Sequence, residues 1–169
     1  RATRYNRWRP EEREHLFGCL ALDLTEYKQS LCVIPKLGCR EARSILEKLT
    51  RHKPAPFSPT VARPSFYVHR IPYNYVKAVD FVPYFWNEVD GRKKSEDYKP
   101  YALADADDAK AALAMLNSNL FFWWWYTLYE GYHCGRHEIF SFPFGLEKMS
   151  PSLKRKLGHL ADALMEDLK

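Results

Sequence analysis

Two stretches of the chain interleave basic side chains with aromatic and amide side chains. The first is RATRYNRWR at residues 1–9, and the second is RIPYNYVK at residues 70–77. Arginine and lysine bind phosphates, arginine and asparagine pair bidentately with base edges, and aromatic rings pack on sugars or bases. Both stretches therefore suit contact with nucleic acid. A linker arm without a fixed role explains the first stretch equally well, and a solvated hairpin explains the second at least as well.

Metal binding is the other chemistry that the residue types suggest. His133, Cys134 and His137 are close in sequence, but no second pair of ligands stands at the spacing that a zinc site needs. We therefore predict no metal in this chain. No CxxC pair occurs among the four cysteines, which indicates reduced, mostly core thiols in a cytoplasmic protein.

The stretch Ala109–Phe144 is expected to organise the fold. Apolar residues recur at spacings of three and four along its first half, and carboxylates precede it where a helix start prefers them. Gly131 suits the end of that helix. Every residue from Leu120 to Tyr126 is apolar or aromatic, so we predict a central buried helix. The run Trp123-Trp124-Trp125 could stack on bases, but its place within a helix favours core packing.

Periodicity and turn signals predict the other elements. They are a short helix opened by Pro10, a strand at Leu16–Leu24, an extended segment at Tyr27–Pro35, a helix at Arg40–Arg51, an irregular loop at His52–Pro64, strands at Ser65–Ile71, Asn74–Val82 and Lys99–Leu103, and a basic turn at Asp90–Lys94. A last helix begins at Ser150 and carries a stripe of Leu153, Leu157, Leu160, Leu164 and Leu168. The predicted fold class is α+β: a mixed β-sheet packed around a central buried aromatic helix, with a C-terminal helix.

Composition and charge narrow the class of protein. The 169 residues suit one domain, and an apolar content of 46% is ample for a core. No apolar run reaches transmembrane length and no signal peptide is visible, so we expect no membrane partner. Residues 1–99 hold 19 Lys and Arg against 12 Asp and Glu, whereas residues 100–169 hold 7 against 9. This asymmetry favours binding of a polyanion by residues 1–99. The alternative is a solvated surface that is basic without binding a polyanion.

Two phrases carry a family resemblance: LNSNLFFWWWYTLYEG at residues 116–131 and HCGRHEIFSFPF at residues 133–144. They are similar to the helix-and-exit signature of target-recognition domains in N6-adenine DNA methyltransferases, including the TaqI-like C-terminal specificity domains of type IIG restriction-modification enzymes. Asn119 stands where the family has a second serine, and Ser141 stands where it has asparagine. Shorter blocks agree in order at residues 3–8, 34–49 and 66–85, so the resemblance covers nearly the whole chain.

The resemblance implies that residues 1–169 are a double-stranded-DNA target-recognition domain, ending in a C-terminal helix at 150–169. It also implies a catalytic methyltransferase domain in the same polypeptide. Because the chain starts at Arg1, we expect it to be part of something longer. The residues expected to contact DNA are Arg4, Arg7, Arg9, Lys36, Arg40, Arg70, Tyr73, Asn74, Tyr75, Lys77, Lys93, Lys94, Arg136 and His137.

The chain lacks the groups that methyl transfer needs. It has neither a Gly-rich cofactor turn nor an Asn/Asp-Pro-Pro-Tyr/Phe tetrapeptide, and IPYN at residues 71–74 and VPYF at residues 82–85 are only fragments of one. We therefore predict no enzyme activity and no cofactor in this chain alone, with S-adenosylmethionine bound by the missing catalytic domain. The alternative function is a protein-interaction or assembly module of a multi-subunit nucleic-acid enzyme. A stand-alone nuclease is a third hypothesis, although clustered acids with a lysine are absent.

Overall fold

The computed structural model describes Glu11, residues 33–93 and residues 95–169. The elements within these ranges are α1 (Arg40–Leu49), β1 (Phe66–His69), β2 (Ala78–Val79), β3 (Phe85–Asn87), β4 (Gly91–Lys93), β5 (Tyr98–Tyr101), α2 (Ala106–Leu116), α3 (Asn119–Leu128), α4 (Arg136–Ser141), a 3-10 turn (Leu146–Lys148) and α5 (Pro151–Leu168). Apart from Glu11, the helix predicted at Pro10 lies outside these ranges, as do the strand predicted at Leu16–Leu24 and most of the extended segment predicted at Tyr27–Pro35.

The described strands confirm an α+β fold but form two small antiparallel sheets. β1 lies between β2 and β5, and β3 pairs with β4 in a separate hairpin. No parallel pair occurs among the described strands, so the predicted mixed sheet is not seen there. The strand predicted at Asn74–Val82 is reduced to β2, because Tyr73, Asn74 and Tyr75 are all exposed and a strand would alternate its faces.

The aromatic stretch forms two helices, α2 and α3, instead of one. Asp105 caps α2, and the Ser118 hydroxyl accepts a hydrogen bond from the Phe121 backbone N–H to start α3. α3 ends at Leu128, before Gly131, although Gly131 does adopt the left-handed conformation with φ of 81°. The predicted core packing is confirmed for Trp124 and Trp125, which are 3% and 0% exposed, whereas Trp123 is half-buried.

Phe57 ties the proline-rich loop at residues 52–64 to the core. Its ring stacks on Phe140 at 5.0 Å between centroids and meets Phe66, Tyr101 and Phe144 edge to face. The loop is irregular, as predicted, because it lacks a regular hydrogen-bond ladder. This aromatic cluster connects β1, β5 and the segment that follows α4, so it holds the start of β1, at Phe66, against the core.

Helix α5 packs on α2 mainly through a face other than its leucine stripe, and of the five stripe leucines Leu157 alone is partly buried against the core. Gly158, Ala161 and Met165 are buried, whereas Leu160 is 65% exposed and Leu168 is 52% exposed. Ion pairs from Asp108 to Lys154 and from Lys110 to Asp162 join the two helices. Because α2 is rich in alanine, close approach requires small residues on α5, and the leucine stripe is left beside the contact. No helix within the described ranges has the length and apolar character to cross a membrane.

Candidate nucleic-acid interface

The loop at residues 70–77 leaves the sheet at the end of β1 and returns at β2. The His69 backbone N–H donates to the Lys77 carbonyl oxygen at 2.9 Å, which closes the base of the loop. Pro72 and Val76 are buried and anchor its two sides, whereas the residues between them are exposed. The loop therefore presents Tyr73, Asn74 and Tyr75 outward on a fixed backbone.

A lysine and two tyrosines come together on this loop. The Lys77 ammonium nitrogen lies 5.7 Å from the centre of the Tyr73 ring and 5.8 Å from that of Tyr75. Both distances are within the range of a cation–π contact. Tyr73 is 73% exposed and Tyr75 is 61% exposed, so the cluster faces outward. It combines a cation for a phosphate with two rings for a sugar or base.

Arg70 is oriented by an ion pair at the start of the same loop. Its Nε donates to Oδ1 of Asp97 at 2.7 Å, and its backbone N–H donates to the Asp97 carbonyl oxygen at 2.9 Å. Both side chains are partly exposed, so the pair contributes at most about 1 kcal/mol to stability. Because the carboxylate balances part of its charge, Arg70 is expected to bind phosphate more weakly than Lys77.

The turn before α4 is attached to this loop. The Cys134 backbone N–H donates to the Arg70 carbonyl oxygen at 2.7 Å, which brings the beginning of α4 next to residue 70. Arg136 and His137, at the start of α4, are exposed. His137 also packs edge to face on Tyr129.

The residues considered for metal binding have other roles. Burial raises the pKa of the Cys134 thiol to about 12, so it is neutral at physiological pH. The His133 ring nitrogen Nδ1 lies 2.7 Å from a Glu130 carboxylate oxygen, whose pKa this hydrogen bond lowers. Among the described residues, no group of three or more metal-ligating side chains is found.

Lys36 has structural partners at the end of α3. Its ammonium donates to the Tyr129 carbonyl oxygen and lies 5.5 Å from the centre of the Tyr126 ring. A positive charge at a helix C-terminus is favourable, because the carbonyl groups there carry partial negative charge. Lys36 is therefore expected to stabilise α3 more than to contact DNA. Arg40 begins α1 and is exposed, with Cys39 as the capping residue.

The β3–β4 hairpin adds residues that the sequence analysis missed. Glu88, Val89 and Asp90 form the turn, and Gly91 follows with φ of 67° as the first residue of β4. The basic turn predicted at Asp90–Lys94 is thus wrong in its position, since three residues plus a left-handed glycine form this type of hairpin. The exposed residues Tyr84, Trp86 and Arg92 belong to this hairpin. Aromatic residues next to an Asp-Gly pair are the sequence signal that could have predicted this hairpin.

Several predicted residues cannot be placed. Arg4, Arg7, Arg9 and Lys94 lie outside the described residues, and only the backbone of Lys93 is described, in β4 opposite Phe85. The described candidate residues are therefore those of the loop at residues 70–77 and the start of α4, and the hairpin contributes a second group of exposed residues.

Comparison of the chain with family models, with curated proteins and with solved structures finds no match.

Proposed function

We propose that this chain is the double-stranded-DNA recognition module of an adenine DNA methyltransferase or restriction-modification enzyme. The observation that carries the proposal is the loop at residues 70–77, where the half-buried Lys77 has its ammonium within cation–π distance of two exposed tyrosines, and the exposed Asn74 stands between those tyrosines in sequence. The basic balance of residues 1–99 and the resemblance of residues 116–144 to specificity domains support it. The α+β fold is then specificity-domain-like.

The residues of the loop have distinct roles in this proposal. Lys77 neutralises a backbone phosphate and sets the position of the loop on the duplex. Asn74 is the best candidate for reading a base edge, because asparagine pairs bidentately with adenine in the major groove. Tyr73 and Tyr75 hold the ammonium in place and pack on the sugar-phosphate backbone. A catalytic domain that binds S-adenosylmethionine then acts on an adenine rotated out of the duplex.

Loss of Lys77 tests the proposal. We expect Lys77→Ala to weaken binding of a fluorescently labelled duplex about tenfold and to reduce the slope of log affinity against log salt by about one, because one phosphate contact is lost. The measurement is fluorescence anisotropy across a salt series, with a duplex whose central base pairs are randomised.

Two matched variants complete that experiment. Arg155→Ala removes the same charge from an exposed position on α5 and should leave affinity and slope unchanged. Asn74→Ala should keep the salt slope but relax the sequence preference, measured by selecting duplexes from the randomised pool. The proposal fails if the chain shows no salt-dependent duplex binding, or if Lys77→Ala and Arg155→Ala behave alike.

The exposed leucine stripe of α5 favours a second function, that of an assembly module. An apolar groove of about 470 Å³ lies between this stripe and α2, with Met115 and Met149 in its lining. The occupant that fits best is α5 of a second copy. Lys156 and Asp167 are three helical turns apart and border the stripe on the same side. Antiparallel pairing of two copies would therefore place Lys156 of one copy next to Asp167 of the other.

Self-association is measured by sedimentation velocity over a range of protein concentrations. We expect a dimer that Leu160→Glu converts to monomer, because a carboxylate would be buried in the seam. His159→Glu places the same charge away from the stripe and should leave the dimer intact. A wild-type chain that remains monomeric at all concentrations rules out this second function.

A further inference from the structure

The β3–β4 hairpin presents two aromatic rings and a guanidinium group on one face. Trp86 and Arg92 are directly opposite each other in the antiparallel register, and such pairs project to the same side of a sheet. Tyr84 precedes Trp86 by two residues, and its ring centre lies 5.5 Å from the Arg92 guanidinium carbon. These three side chains, hereafter the hairpin face, therefore form one continuous surface.

The hairpin face is exposed to an unusual degree for its residue types. Tyr84 is 71% exposed and Trp86 is 54% exposed, whereas Trp124 and Trp125 are buried in the core. Tryptophan is highly buried on average, so this exposure is not what folding alone favours. The two strands pair only with each other among the described strands, so the hairpin is not part of the three-stranded sheet.

The chemistry of the hairpin face matches one class of ligand. Two rings offer flat apolar surfaces for stacking, and the guanidinium offers a cation beside them for an anion or a further π contact. A nucleotide carries both features, a planar base and a phosphate. Within a fully paired duplex the faces of the bases are covered by their neighbours, so only an unpaired base can stack on these rings.

We propose that the hairpin face binds an unpaired nucleobase of a DNA strand, stacked on Trp86 and Tyr84, with Arg92 on the adjacent phosphate. This site shares no residue with the loop at residues 70–77. It deepens the proposed function, because rotation of one base out of a duplex leaves its former partner unpaired. The inference rests on the proposed function only in taking DNA as the ligand.

The test compares two probes with the full chain: a short fluorescently labelled single strand, and the same strand in a fully paired duplex. Trp86→Ala should weaken binding of the single strand about 5- to 150-fold, the range for loss of one base-stacking contact. Its effect on the paired duplex should be less than about twofold. Trp86→Phe retains a ring and should recover most of the single-strand affinity. Circular dichroism confirms that each variant is folded.

Matched variants separate this inference from the proposed function. Val89→Ala truncates an exposed apolar side chain at the tip of the same hairpin and should leave both affinities unchanged. Lys77→Ala should weaken the duplex more than Trp86→Ala does. The inference is overturned if Trp86→Ala and Val89→Ala have equal effects on the single strand, or if the single strand is not bound. Binding of the single strand through Trp86 without duplex binding would support the hairpin face and overturn the proposed function.

Discussion

Replacement of Trp125 by alanine is expected to lower the free energy of unfolding by about 4 kcal/mol, the largest effect that we predict for this chain. The side chain is fully buried, so its loss removes apolar contacts and leaves a cavity. It also removes a hydrogen bond, because the indole Nε1–H donates to the His133 carbonyl oxygen at 2.6 Å. The turn that contains His133 continues to Cys134, whose backbone N–H donates a hydrogen bond to the Arg70 carbonyl oxygen. Trp125→Ala should therefore also loosen the candidate interface.

Chemical denaturation measures the change in unfolding free energy of Trp125→Ala, and thermal unfolding of the same variant should show a decrease in Tm of about 10 °C. Trp125→Phe keeps a buried ring but loses the N–H donor, so it should cost about 2 kcal/mol. Trp123→Ala removes the half-buried tryptophan of the same helix and should cost less than half as much as Trp125→Ala. Equal losses at positions 123 and 125 would mean that α3 does not bury the face described here.

Asn117 is the site of the second large effect, because its amide joins the break between α2 and α3 to the sheet. Its Oδ1 accepts from the Ala78 backbone N–H at 3.1 Å, and its Nδ2 donates to the Ala78 carbonyl oxygen at 2.9 Å and to that of Leu113 at 3.0 Å. The amide thus pairs with β2 as a neighbouring strand would. Ala78 is fully buried, so Asn117→Ala leaves its backbone groups without partners and should cost about 3 kcal/mol.

Hydrogen exchange gives a local test of this role. The Ala78 amide should exchange faster in Asn117→Ala than in the wild type by more than the global loss of stability explains. Asn74→Ala removes an exposed asparagine and should change stability by less than about 0.5 kcal/mol. Unchanged protection of Ala78 in Asn117→Ala would contradict the structural role assigned to this amide.

The elements that the sequence predicted well are those specified by local pattern. Helix α1 was expected at Arg40–Arg51 and is found at Arg40–Leu49, with Ala42, Leu46 and Leu49 buried at helical spacing. Strands β1 and β5 lie within or beside the expected segments. Periodicity was sufficient here because each of these elements buries one face against a single core.

At other positions the local pattern allowed more than one arrangement, and the structure supplies the partners and exposures that the pattern left open. The leucine stripe of α5 has ideal spacing for packing, yet the face with Gly158 and Ala161 is the one that α2 covers. Lys36 resembles other basic residues of the first part, but its ammonium is bonded to the carbonyl of Tyr129, 93 residues away in sequence. Such contacts depend on the meeting of distant segments, which spacing along the chain does not reveal.

The amino-acid sequence by itself determined that residues 109–144 supply a helical, aromatic core and that basic residues concentrate in the first part of the chain, because composition and periodicity are local properties. Only the tertiary structure decided that the Lys77 ammonium lies within cation–π distance of both Tyr73 and Tyr75, that Trp86 and Arg92 share a hairpin face, and that four of the five stripe leucines of α5 are exposed. A side chain's exposure and neighbours depend on which distant surfaces pack together, and packing is a property of the whole fold.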